Sequence, residues 1–147
     1  MSILDRFKLD GKIALITGGG QGIGQGFAHA LAEAGASIAV VDINPKTAEQ
    51  VAEEIKEIGQ QSIAIVADVT LANDVKRMID IVMSKWGKLD IAVNNAGCVL
   101  WENAEDVKEE DWDKVINLNL KGVFLCAQAE ARVMIPQKYG KIINTAS

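Results

Sequence analysis

The 147-residue chain has one histidine, one tyrosine and two cysteines, and each scarcity removes a class of chemistry. With His29 alone, set between Ala28 and Ala30, no histidine-based triad or multi-histidine metal centre can form. A surface or helix–helix contact is its expected role. Cys98 and Cys126 have neither the spacing of a zinc site nor the density of a disulfide scaffold, so both read as small buried thiols in a reducing cytoplasm. No apolar stretch approaches the roughly 18–20 residues needed to span a bilayer. The opening MSILDRFKLDGK carries charges every few residues and has no apolar core of a signal peptide. Basic clusters are missing too: 15 Lys and Arg are interspersed among 20 Asp and Glu, for a net charge of −5. Neither a nucleic acid nor an anionic membrane is offered a basic face. The acidic run EDVKEEDWD (Glu105–Asp113) pairs no carboxylates as acid and base. It reads as a solvated loop and helix start, where negative charge suits the helix dipole. The expectation is a soluble, cytoplasmic single domain over residues 1–147.

What the sequence does have is alternation. Apolar runs of strand length (KIALIT, SIAVVD, SIAIVA, LDIAVN and KIINT) are separated by segments of helical period. In the first helix Phe27, Ala30, Leu31 and Ala34 recur on one face. The second opens at Asn44-Pro45, a cap followed by proline at the first helical position. Its stripe is Ala48, Val51, Ala52, Ile55 and Ile58, ended by Gly59. Thr70 is the expected cap of the third helix, with Val75, Met78, Ile79, Val82 and Trp86 as its stripe. One long helix is expected from Glu109 to Ile135, terminated by Pro136. Strands buried on both faces and joined by helices imply an α/β fold with a doubly wound parallel sheet, the Rossmann arrangement, in order 3-2-1-4-5.

TGGGQGIG (Thr17–Gly24) lies between the first strand and first helix, where such sheets bind nucleotides. Glycines let phosphate oxygens approach the backbone, and the helix N-terminus behind them offers free N–H groups. The P-loop is excluded, because Gln25-Gly26 stands where Lys-Ser/Thr is required. The strict G-x-G-x-x-G fingerprint also fails; G-x-x-x-G-x-G fits, through Gly18, Gly22 and Gly24. Asp42 ends the second strand, where a carboxylate accepts from an adenosine ribose and repels a 2′-phosphate. Neither Gln21 nor Ile43 supplies a cation for that phosphate, so NAD is expected over NADP.

Three further stretches carry a resemblance. ADV (Ala67–Val69), NNAG (Asn94–Gly97) and NLNLKG (Asn117–Gly122), in register with TGGGQGIG, resemble the short-chain dehydrogenase/reductase family over nearly the whole chain. The resemblance implies a cofactor site formed by Gly18, Gln21, Gly22, Ile23, Gly24, Asp42, Asp68, Val69, Asn95, Ala96 and Gly97. Asp68 and Val69 would flank the adenine; Asn95, Ala96 and Gly97 would line the ribose and nicotinamide side. Asn94 is expected to brace neighbouring strands, and Gly122 to permit close packing. Ser147 matches the family's catalytic serine and Asn119 the helix asparagine that holds a water in a proton relay. No metal is implied.

The chemistry implied is reversible hydride transfer between NAD and a secondary alcohol or ketone, with a polyol or sugar as the guessed substrate. The resemblance also implies a homodimer or homotetramer, the long helix forming part of its interface. The family's Y-x-x-x-K pair does not occur within these residues: Tyr139 precedes Ser147 and has Ile143 four positions on. Two other readings therefore stay open: a catalytically incompetent nucleotide-binding or interaction domain, and an S-adenosylmethionine methyltransferase, which NNAG and Ser147 disfavour. Trp101, after NNAG, is either a pocket wall or ordinary packing. The fifth strand is expected to need a covering helix and a further strand, since an exposed β-rich edge invites self-association.

Overall fold

The computed structural model describes residues 2–146. Five parallel strands, β1 (Ile13–Thr17), β2 (Ser37–Asp42), β3 (Ser62–Val66), β4 (Ile91–Asn94) and β5 (Lys141–Asn144), form one sheet in the order β3-β2-β1-β4-β5, as expected. Side chains alternate across a strand, so an unbroken apolar run feeds two cores. Ile13, Leu15, Ala39, Val41 and Ala92 enter one, under α3 (Ala72–Trp86) and α5 (Val123–Gln137). Ala14, Ile16, Ile38, Val40, Ile91 and Val93 enter the other, under α1 (Gly22–Glu33) and α2 (Pro45–Glu57). Each fully buried Leu, Ile or Val contributes about 1.5–3 kcal/mol.

The helices depart from the expected pattern where small residues or backbone geometry override periodicity. In α1 the buried face is Gly24, Ala28 and Ala32, with Phe27 and Leu31 at its flank and Ala30 exposed. Small side chains let this helix lie close on the sheet, so bulk does not mark its inner face. Asn44 caps α2 as expected, accepting from the Lys46 amide at 3.1 Å, but Ile58 is exposed at the C-cap. Thr70 does not cap α3: the helix starts two residues later, and the Thr70 hydroxyl donates to Asp68 Oδ1 at 2.7 Å. A short 3₁₀ turn, Ile3–Phe7, precedes the sheet, with Ser2 and Asp5 forming a capping box.

The expected long helix is continuous but not uniform. It runs as α4 (Glu109–Ile116), a π-helical segment (Asn117–Gly122) and α5. Pro136 lies inside the last turn instead of ending it. The stop is Lys138, in the left-handed region at φ 54°, whose N–H and that of Tyr139 close back on Ile135 and Met134. The π segment coincides with NLNLKG, and π bulges concentrate at functional sites. Gly122 packs against Val69, where a Cβ would lie 3.2 Å from the valine Cγ2, so the close-packing expectation holds.

Candidate active site

At the carboxyl ends of the strands, where the order reverses between β1 and β4, a cleft of about 720 Å³ opens. Its size suits a small-molecule or cofactor ligand. Ten of the eleven residues expected to hold the cofactor line it: Gly18, Gln21, Gly22 and Ile23 from the β1–α1 turn, Asp42 from β2, Asp68 and Val69 after β3, and Asn95, Ala96 and Gly97 after β4. Gly24 stands behind the wall. A Cβ there would collide with the Gly18 carbonyl oxygen and approach Asn95 Nδ2 to 2.7 Å. Gly18 itself has φ 61°, and a Cβ on it would meet Ala96 Cα at 2.9 Å. Both positions exclude any side chain.

The local chemistry favours an anion at one end and hydroxyl groups at the other. Gln21 precedes α1 without a side-chain cap, so the first amides of a 12-residue helix are left for a ligand. Asp42, nearly buried, accepts from the Gly20 amide at 3.0 Å and the Asn44 amide at 3.0 Å. Two amides fix the carboxylate while its remaining lone pairs can still accept. Asp68 Oδ1 accepts from Thr70, and the Asp68 amide donates to Asp74 Oδ2 at 2.9 Å. That bond, then the Arg77 guanidinium, hold the Asp74 carboxyl below its ordinary value.

Sequence reasoning missed several contributors. Thr17 Oγ1 accepts from the amides of Asn95 and Ala96, both at 3.1 Å, and so ties the glycine turn to NNAG. Its position at the end of a buried strand was the available signal. Lys114, Asn117 and Leu118 close the cleft from α4 and the π segment, which no periodicity announces. Asn119 does not line the cleft. Its Oδ1 accepts from the Cys98 amide at 2.9 Å and its Nδ2 donates to the Cys98 carbonyl at 2.8 Å. Each polar atom of the side chain thus makes one bond to the Cys98 backbone and keeps a second lone pair or N–H for another partner. Asn94 braces strands as expected: its Nδ2 donates to Asn144 Oδ1 and Glu130 Oε2, both at 3.0 Å.

Ser147 lies outside the described residues. Trp101 is 89% exposed and does not line the cleft formed by the described residues. Cys98 is half-exposed rather than buried, while Cys126 is buried and its thiol is pushed up to about 12 by desolvation and then by Glu130. His29 makes the expected helix–helix contact, 2.9 Å from Glu54 Oε2 between α1 and α2. Among the described residues no cluster of His, Cys, Asp and Glu could hold a metal, and no helix is long and apolar enough to cross a membrane.

A parallel doubly wound sheet with a glycine-walled cleft at its switch point defines a Rossmann-type nucleotide-binding architecture. The sequence carries the assignment further. The family model described as "short chain dehydrogenase" matches residues 12–147, and the chain belongs to that family. A 2-dehydro-3-deoxy-D-gluconate 5-dehydrogenase of Escherichia coli (strain K12) is 40% identical over 146 residues, covering 99% of this chain and 57% of the relative. A gluconate 5-dehydrogenase from Burkholderia cenocepacia J2315, solved with NADP and tartrate, superposes with a TM-score of 0.93 at 43% identity, over 99% of this chain and 57% of that one. An NAD+-bound xylitol dehydrogenase gives a TM-score of 0.93 at 38% identity, over 95% and 54%. The chain thus spans a little over half the length of each.

Proposed function

We propose that this chain supplies the cofactor-binding part of an NAD(H)-dependent oxidoreductase that interconverts a secondary alcohol and a ketone on a polyol, sugar or sugar acid. The observation that carries the cofactor choice is Asp42, held by two amides inside the cleft with no cation at Gln21 or Ile43 beside it. The similar solved proteins carry either cofactor, so discrimination has to reside in this chain's own residues. The sugar-type substrate is supported by the printed activities of the gluconate and xylitol enzymes alone.

The residues fit the cofactor. The uncapped start of α1 and the glycine turn accept a pyrophosphate, and a Cβ at Gly18 or Gly24 would strike Ala96 or the Gly18 carbonyl and displace that turn. Asp42 accepts from the adenosine ribose, Asp68 and Val69 flank the adenine, and Asn95, Ala96 and Gly97 border the nicotinamide end. When bound, the nicotinamide ring supplies the carbon that gives or takes a hydride. Asn119 is proposed to hold a water of the proton relay, while its side chain fixes the Cys98 backbone beside the cleft's rim. Ser147 is proposed to donate a hydrogen bond to the substrate oxygen, where charge develops. A cytoplasmic, oligomeric enzyme is the setting we infer.

Dissociation constants for NADH and NADPH, measured on the wild type and on an Asp42→Ala, Ile43→Arg double variant, test the reading. Wild type should prefer NADH, and the double variant should move toward NADPH by about tenfold or more, the effect of about 1.4 kcal/mol. Unchanged discrimination would remove Asp42 from this role.

A further inference from the structure

The inner face of the last helix carries an unexpected residue. Gly122, Cys126, Glu130 and Met134 are the buried positions from the π segment through α5, and Glu130 is 0% exposed. A carboxylate without a cation in such a place is costly. Asn94 Nδ2 donates to Glu130 Oε2 at 3.0 Å, yet Glu130 Oε1 and Asn94 Oδ1, the other atom of each group, have no partner among the described residues. Two acceptors without a donor are left over from one side-chain pair.

A single proton removes both orphans. We propose that Glu130 is a protonated positioning residue: its carboxyl donates to Asn94 Oδ1 while accepting from Asn94 Nδ2, a closed acid–amide ring that clamps the ends of β4 and β5. The same Asn94 amide holds Asn144 of β5, and the residues directly after Asn94 line the nucleotide cleft. Glu130 thereby acts on the cleft through Asn94 and touches no ligand itself.

The surroundings agree. Toward this core α3 presents Val75, Met78, Ile79 and Val82. β4 contributes Asn94 and β5 contributes Asn144, while Lys141 is exposed, as are Lys121 of the π segment and Arg132 of α5. Among the described residues the titratable group felt by Glu130 is the buried Cys126 thiol, which stays neutral. Burial raises the Glu130 carboxyl to about 7, against the Asn94 bond, which lowers it. Because the folded value exceeds the unfolded one, the proton's contribution to stability is complete below the ordinary 4.5 and declines as pH rises to about 7. Above that the ring opens.

The test uses the protein at its natural length, with Glu130→Gln, which can form the same two bonds as an amide pair, and Glu130→Leu, which cannot. Infrared spectra of the wild type should contain a protonated-carboxyl stretch that disappears with a midpoint near pH 7 and is missing from Glu130→Gln at every pH. The melting temperature of the wild type minus that of Glu130→Gln should fall between pH 4.5 and about 7 and then level off. The third arm rests on the nucleotide reading. NADH affinity should weaken by about tenfold as the wild type crosses that midpoint, stay flat in Glu130→Gln, and be weak throughout in Glu130→Leu. A wild-type spectrum with no band that Glu130→Gln removes would overturn the proposal, as would the same pH dependence of melting and binding in both proteins. If no form binds NADH, the nucleotide reading fails, while the infrared and melting arms still decide the ring.

Discussion

The two edges of the sheet are finished differently. β3 is laid over by α2 on one face and buries Ile65 in the α3–α5 core on the other, whereas in β5 only Ile142 is even half-buried. The contrast extends to the helices beside them. α2 buries Ala48, Val51, Ala52 and Ile55, while Trp112 of α4, Leu120 of the π segment and Phe124 of α5 are 59%, 66% and 60% exposed. The β1–β3 half satisfies its apolar residues internally. The β4–β5 half leaves apolar side chains exposed among the described residues. The cleft lies on the seam, taking its glycine wall from one half and NNAG from the other.

That contrast can be broken by mutation. Ile38→Ala, in the closed half and 0% exposed, should cost about 2–5 kcal/mol in urea denaturation; a cost under about 1 kcal/mol would mean that this core is looser than it looks. Asp90→Ala attacks the seam at its other end. Asp90 accepts from the Ile13 amide at 2.9 Å and lies 2.9 Å from Lys88 Nζ and 3.5 Å from Lys12 Nζ. Burial opposes its ionisation, but the Ile13 amide, Lys88 and Lys12 together hold the carboxyl below its ordinary value. Its contribution is therefore present above that ordinary value and lost as pH falls through the native one. Removing it should cost about 3 kcal/mol at neutral pH, with the penalty shrinking in acid. Equal penalties at both pH values would count against the ion cluster.

Smaller effects are expected in the open half. Leu120→Asp should change stability by less than about 0.5 kcal/mol in a dissociated protein and should shift sedimentation toward smaller species. A large loss of stability with unchanged mass would place Leu120 in a core instead. Thiol labelling should separate the halves at the least cost to the fold: half-exposed Cys98 reacts in the native state, and buried Cys126 reacts only on unfolding. Equal rates would contradict the depth of the α5 face.

Much of this was legible in the residues. Strands rich in β-branched side chains, glycines at fixed offsets and Asp42 at a strand end depend on local chemistry, and the cleft they predict is where it should be. What escaped the sequence was set by distant partners. Asn119 could not reveal that its amide would meet the Cys98 backbone, 21 residues away. Glu130 has its partner in Asn94, 36 residues earlier, and no local pattern links the two. The inner face of α1 was misread because glycine and alanine, chosen for closeness, leave no hydrophobic signature.

The π segment has a consequence for the rod it interrupts. On an ideal helix, positions four apart creep sideways by about 40° per step, so a row of them winds around the cylinder. Trp112, Ile116, Leu120 and Phe124 are such a row, yet all four remain on the open side. The wider turn at Asn117–Gly122 winds the row back, correcting the phase between α4 and α5. One rod can then face the cleft at Asn117 and Leu118 and the core at Cys126. Deleting a single residue within that turn would leave a perfectly good helix whose two ends disagree about which side is inside.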